Sequence, residues 1–263
     1  MKTKLSIRCV LAGSVLLATI LQTVAYLTSY TASDNYFRVG TILPILAIVC
    51  TAIAAIAGAV DAILYSKENR IQSKDAFPFI SAFSAVGFLL TGIRLLPSAS
   101  NLFGKVGALI LLLAAVYCIL DMFRAEILSS VTFGFGFAAP IGCIMLTAHH
   151  YFDMTLEMNA PIKISLQVAL LFSMLFFVGE LRCRLGKPQP ILYPTVTAMT
   201  VAIGAYASIP AIVAYLAGKV TRFDYFCTAI LVLGITLTAC MRLIAMYFPK
   251  STEQQQNSIP END

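Results

Sequence analysis

The chain has 263 residues, 59% of them hydrophobic and 12% charged, against roughly 25% charged in an average soluble domain. A mean hydropathy of +0.85 places it in a lipid bilayer. This composition excludes a disordered chain, a disulfide-rich secreted scaffold, a collagen-like fibre and a soluble α/β enzyme.

The predicted class is all-α: one transmembrane helical bundle over residues 1–250 with a polar, disordered tail at 251–263. About eight apolar runs are each long enough to cross roughly 30 Å of hydrocarbon. The first, 9–28, follows Lys2, Lys4 and Arg8 as a signal-peptide core would. Its length exceeds the usual core of about 7 to 15 residues, so it reads as a membrane anchor. The second, 42–64, carries Ala54, Gly58 and Ala62 at four-residue intervals. Such small-residue spacing lets helix backbones approach closely within the chain, or in a homodimer. The third, 78–97, ends at Arg94 to Pro97, and the fourth, 106–123, contains Asp121. The fifth, 128–148, repeats the small-residue spacing at Gly134, Ala138 and Gly142 and contains Pro140. The sixth is 162–181 with Glu180, the seventh 191–214 with Pro210, and the eighth 226–247 with Arg242. Pro140 and Pro210 each remove a helical hydrogen bond, so both helices are expected to kink there.

With the N-terminus inside, twelve of the eighteen Lys and Arg residues fall at inner span ends and loops. Six fall outside: Arg38, Arg94, Lys105, Lys163, Lys219 and Arg222. Basic flanks stay on the cytoplasmic face, which places both termini there. Trp is absent, and Tyr and Phe cluster at the span ends in its place.

Two groups of polar residues are candidate sites. Asp61, Asp121, Glu180 and Arg242 lie near the inner span ends, where charges in lipid need partners. Asp121 with Arg124 and Glu180 with Arg184 have local helical spacing. Arg242 has no acid nearby in sequence; it is predicted to pair across helices with Asp61, Asp121 or Glu180, the alternative being to snorkel to the headgroups. The second group is an outer polar site of Arg94, His149, His150 and Asp153. Arg94 is expected to hold an anionic group or to pair with Asp153. If the fifth helix continues outward, His149, Asp153 and Glu157 share one face, a spacing that suits a divalent metal or a proton relay. Asn159 and Pro161 read as the start of the sixth helix, so a loop with solvated polar groups is the simpler expectation, and no metal is assigned.

His-Glu-x-x-His, Walker and Gly-x-Ser-x-Gly motifs are missing, so neither an enzyme nor a cofactor is expected. Gly134-x-Gly136-x-x-Ala139 matches a dinucleotide fingerprint but sits in an apolar span without a preceding strand. The seven cysteines have no metal-site spacing and read as packing residues. The scattered basic residues form no face for nucleic acid. The expected partner is the lipid bilayer, joined by a small solute if the chain is a transporter or channel-like subunit. The alternative is a non-catalytic scaffold or regulatory subunit of a larger membrane complex.

Tyr151-Phe152-Asp153-Met154, Asn159-Ala160-Pro161-Ile162-Lys163, Glu180-Leu181-Arg182 and Ser208-Ile209-Pro210 resemble a pattern in an uncharacterised family of polytopic membrane proteins of Gram-positive bacteria. The likeness covers roughly the second half of the chain. It implies a multi-pass location in the bacterial plasma membrane and attaches no activity.

Overall fold

The computed structural model describes residues 2–66, 81–99, 102–122, 134–187 and 189–247. Within them lie eight helices: α1 Lys2–Ser29, α2 Leu43–Ser66, α3 Ser81–Ser98, α4 Leu102–Met122, α5 Ala138–Phe152, α6 Pro161–Arg184, α7 Leu192–Leu216 and α8 Phe223–Tyr247. A two-residue hairpin, β1 Tyr30–Thr31 and β2 Tyr36–Phe37, joins α1 to α2. The fold is an all-α bundle. Every helix except α5 is long and apolar enough to cross a membrane, and the chain is a multi-pass membrane protein.

Local sequence explains the helix ends. Pro161 opens α6, where a missing N–H is no loss. Gly186 and Gly218, both at φ +68°, follow α6 and α7 in the left-handed conformation that closes a helix. The Lys187 amide then donates to the Arg182 carbonyl at 3.0 Å, and the Lys219 amide to Ala214 at 2.9 Å.

The fifth span carries a break where Pro140 predicts one and ends later than the expected 148. Residues 134–136 are helical, Phe137 is a turn, and α5 runs from Ala138 to Phe152; residues 128–133 lie outside the described residues. Pro140 cannot donate to Gly136, and the Phe137 amide turns back to the Gly134 carbonyl at 3.3 Å. By contrast, α7 stays helical through Pro210. The tail at 251–263, the basic residues Lys67, Arg70, Lys74 and Lys250, and Arg124 lie outside the described residues.

Packing sets up a ring. Helix α3 packs on α4, α4 on α5, α5 on α6, α6 on α8, and α8 back on α3. Helix α7 flanks the ring at α6 and α8, and α1 and α2 pack together against α7. Lipid supplies no hydrophobic drive between helices, so close backbone approach does this work. In α2, Ala54 and Ala62 are fully buried, and a Cβ at Gly58 would stand 2.6 Å from the Ala198 Cβ of α7. The spacing in the fifth span is used only in part: a Cβ at Gly142 would press on Leu111, whereas one at Gly134 would meet open space.

Candidate functional site

Charged side chains gather at the two ends of the bundle. We call the end holding Arg8, Asp61, Asp121, Arg184 and Arg242 the inner end and that holding Arg94, His150, Asp153 and Arg222 the outer end, after the orientation expected from the basic residues.

At the inner end the ionic contacts run between helices. Arg242 Nε of α8 lies 3.2 Å from Glu180 Oε1 of α6, and the Tyr193 hydroxyl of α7 donates to the same oxygen. Arg184 of α6 pairs with Asp121 of α4, whose other oxygen accepts from Ser81 Oγ of α3 at 2.7 Å. The local pairing of Glu180 with Arg184 gives way to these contacts, because neighbouring helices offer better-placed partners than the helix's own next turn. Asp61 stands apart: it is fully buried and bonds Arg8 Nε of α1 at 3.4 Å, while the Arg8 guanidinium sits 3.9 Å from the centre of the Tyr247 ring. The four residues expected as one inner cluster therefore fall into two groups, with Asp61 in the smaller.

Asp121, Glu180, Arg184 and Arg242 line a cavity of about 20 Å³ with Ser81, Ser84 and Thr238. That is room for about one water.

The outer end is rearranged relative to expectation. Helix α5 stops at Phe152, with Asp153 extended at φ −73° and ψ 103°, so Glu157 does not continue a face with His149 and Asp153. No group of three His, Cys, Asp or Glu side chains converges on a common point among the described residues. Arg94 pairs with Asp224 at 2.9 Å rather than with Asp153, because the first turn of α8 lies beside the last turn of α3. Asp153 is held by Arg222 Nη2 at 3.3 Å and by the Tyr225 hydroxyl at 3.2 Å. Its other oxygen accepts from the Thr155 amide at 3.0 Å and the Thr155 hydroxyl at 2.6 Å. Burial alone would raise the Asp153 carboxyl; the Thr155 bonds, Arg222 and Tyr225 outweigh it and hold it below the usual carboxylate range. Arg222 also reaches Asp224 at 3.8 Å, so Arg94, Asp224, Arg222 and Asp153 form one alternating chain.

The histidines are not solvated loop residues. His149 is half-buried, and His150 is 1% exposed with Nε2 2.9 Å from Thr228 Oγ1 and its ring stacked 4.7 Å from that of Tyr225. Lys163, also 1% exposed, donates to the Asp153 carbonyl at 2.7 Å and the Leu156 carbonyl at 3.4 Å. Of the residues that build this end, Arg222, Asp224, Tyr225, Thr228, Thr155 and Lys163 are not in the candidate site read from sequence, where Lys163 and Arg222 count only among the outer basic residues. Lys163 did carry a signal: a cation in the first turn of a helix opposes the dipole and needs another anchor.

A second cavity, about 10 Å³, lies at the outer end between Thr91 and Arg94 of α3, His150 of α5, and Asp224, Cys227 and Thr228 of α8. Both cavities are inside the ring, and α3 and α8 line both. Between them stand the buried side chains of Phe88 and Leu231, with the Phe88 ring 5.7 Å from Phe177. From Ser84 to Thr91 this apolar septum spans about 10 Å of helix rise.

No family model matches the chain, nor does any curated protein or solved structure in the comparisons made.

Proposed function

We propose that the chain is a small-solute transporter or channel-like subunit of a bacterial plasma membrane, with both termini cytoplasmic, and that the interior of the five-helix ring is its pathway. One observation carries the reading: two small cavities, each walled in part by charged and hydroxyl side chains, lie at opposite ends of the ring, lined by the same two helices and separated by an apolar septum. A membrane protein with no pathway has little reason to keep charged groups facing its own core at both ends, since such groups are expensive in lipid. In the arrangement seen, both ends are closed. Arg242 with Glu180 and Arg184 with Asp121 tie the inner end, and the Arg94–Asp224–Arg222–Asp153 chain ties the outer end. Breaking one set while keeping the other would admit a solute from one side at a time. The bacterial plasma membrane follows from the family resemblance, and the orientation from the basic inner ends.

The second reading is a scaffold or regulatory subunit, favoured by cavities that hold about one water each. Thermal stability of the purified protein, measured against amino acids, sugars, organic cations and organic anions, separates the two. The transport reading expects at least one solute class to stabilise the protein and Arg242→Gln to abolish the effect. No stabilisation by any class, with a second subunit co-purifying in stoichiometric amount, would establish the scaffold reading instead.

A further inference from the structure

We propose that His150 is a proton-binding site that controls the outer end of the ring, a proposal that rests on the pathway reading above and names the proton as its opening ligand. The geometry begins with Thr228. Its hydroxyl has one hydrogen, which it donates to the Asp224 carbonyl at 3.0 Å, the back-bond usual for a helical Thr. With that bond made, the Nε2 of His150, 2.9 Å from the same oxygen, donates to it; the opposite tautomer would bury an Nδ1–H with no acceptor, which costs more than a bare Nδ1 lone pair. That leaves Nδ1 as a bare acceptor, and Nδ1 is buried with no hydrogen-bond partner. The ring is enclosed, stacked on Tyr225, and forms part of the wall of the outer cavity.

A proton arriving at Nδ1 creates an N–H with nothing to receive it. It also adds a positive charge among Arg94 of α3, His149 of α5, Lys163 of α6 and Arg222 just before α8. The only charged residue that α4 carries at this end, Lys105, is exposed. The nearby acids are engaged, Asp224 by Arg94 and Asp153 by Arg222, and the Tyr225 hydroxyl already donates to Asp153. Cys227, on the cavity wall, offers no charge to balance the ring. The closed arrangement thus holds the neutral imidazole. An arrangement in which α5 draws away from α8, so that Nδ1–H meets water or a freed carboxylate, holds the cation. A proton binds the open form better than the closed one, and so shifts the population toward opening. One N–H bond forms on opening and breaks on closing, with the proton taken from and returned to the outer solution.

Cys227 is a native reporter, being 3% exposed on the α8 wall of the cavity. The experiment uses the full chain with its other cysteines replaced, in membranes, and a membrane-impermeant methanethiosulfonate added from outside. Rates are compared at about pH 7.5 and about pH 5.5, either side of the ordinary histidine range, and normalised to an exposed reference thiol at Ala217→Cys. The proposal expects a normalised Cys227 rate that rises on the order of tenfold on acidification and a flat, slow rate in His150→Gln. A flat or falling rate in the parent overturns it whatever the variant does, as does an undiminished rise in His150→Gln. Independently, ¹⁵N spectra of the single histidine left in His149→Gln should show the Nε2–H tautomer at neutral pH; the Nδ1–H tautomer would contradict the proposal. A flat Cys227 profile with solute stabilisation intact removes the proton site and leaves the pathway. Loss of solute stabilisation with the pH response intact does the reverse.

Discussion

Glu180 is the residue on which the inner end turns. It is 7% exposed and receives both the Arg242 guanidinium and the Tyr193 hydroxyl, so it joins α6, α7 and α8 at a single oxygen. Removing one member of such a pair strands the other charge without its partner. Glu180→Gln or Arg242→Gln is therefore expected to destabilise the purified protein by on the order of 3 kcal/mol, and the double variant to recover part of that loss. Chemical denaturation of the three variants in detergent measures it; an Arg242→Gln protein as stable as its parent would mean that the guanidinium simply snorkels. Asp153 gives a pH-dependent counterpart at the outer end. Its carboxyl is held below the usual range, so its contribution is complete at neutral pH, above the unfolded-state value. It fades as the pH falls through the lower folded-state value. Asp153→Asn should lower the midpoint of thermal unfolding at neutral pH and have a diminishing effect below about pH 4. An equal effect at both pH values would show that the charge is not what holds the loop.

At the scale of elements, α3 and α8 approach each other backbone to backbone in and beside the septum. A Cβ added at Gly234 would lie 2.4 Å from the Phe83 carbonyl oxygen, and one at Gly87 would lie 2.6 Å from the Leu231 Cα. Both obstacles are backbone atoms, which cannot swing aside as a side-chain tip can. Gly234→Ala should therefore force the two helices apart and destabilise the bundle by about 1 to 3 kcal/mol, whereas Gly134→Ala, which meets open space, should be close to neutral. Thermal unfolding of the two variants in the same detergent makes the comparison. Most of these helices were legible in the sequence, because a helix that crosses lipid must be a long apolar run whatever it packs against. The fifth span is interrupted at Phe137, just before Pro140 as that proline predicts, and it runs on to Phe152 because His150, polar by composition, is buried against α8, which the apolar pattern does not show. The contacts between helices were less legible. Arg184 has an acid four residues before it in its own helix, yet it pairs with Asp121, 63 residues away. Local spacing cannot reveal a partner that only packing brings near. The lone glycines 87 and 234 were passed over for the same reason, since each matters only through the neighbour it admits.

At the scale of the whole molecule, two charged layers cap an apolar middle. The inner layer was anticipated as a set of acids seeking one arginine. The outer layer was anticipated through its histidines, while the arginine–aspartate chain that closes it depends on the approach of α3 to α8. The preponderance of basic residues at the inner end predicts that a cysteine at Lys187 is labelled from the cytoplasmic side and one at Lys219 from outside. The reverse result would invert the topology. The most direct test of a pathway through the ring is side-specific reaction of single cysteines placed along α3, at Ser84, Phe88 and Thr91, in a cysteine-free chain in oriented membranes. The account predicts that Thr91→Cys reacts with an impermeant thiol reagent only from outside, Ser84→Cys only from the cytoplasm, and Phe88→Cys from neither. Reaction of Ser84→Cys and Thr91→Cys from the same side, or of neither from any side, would contradict it.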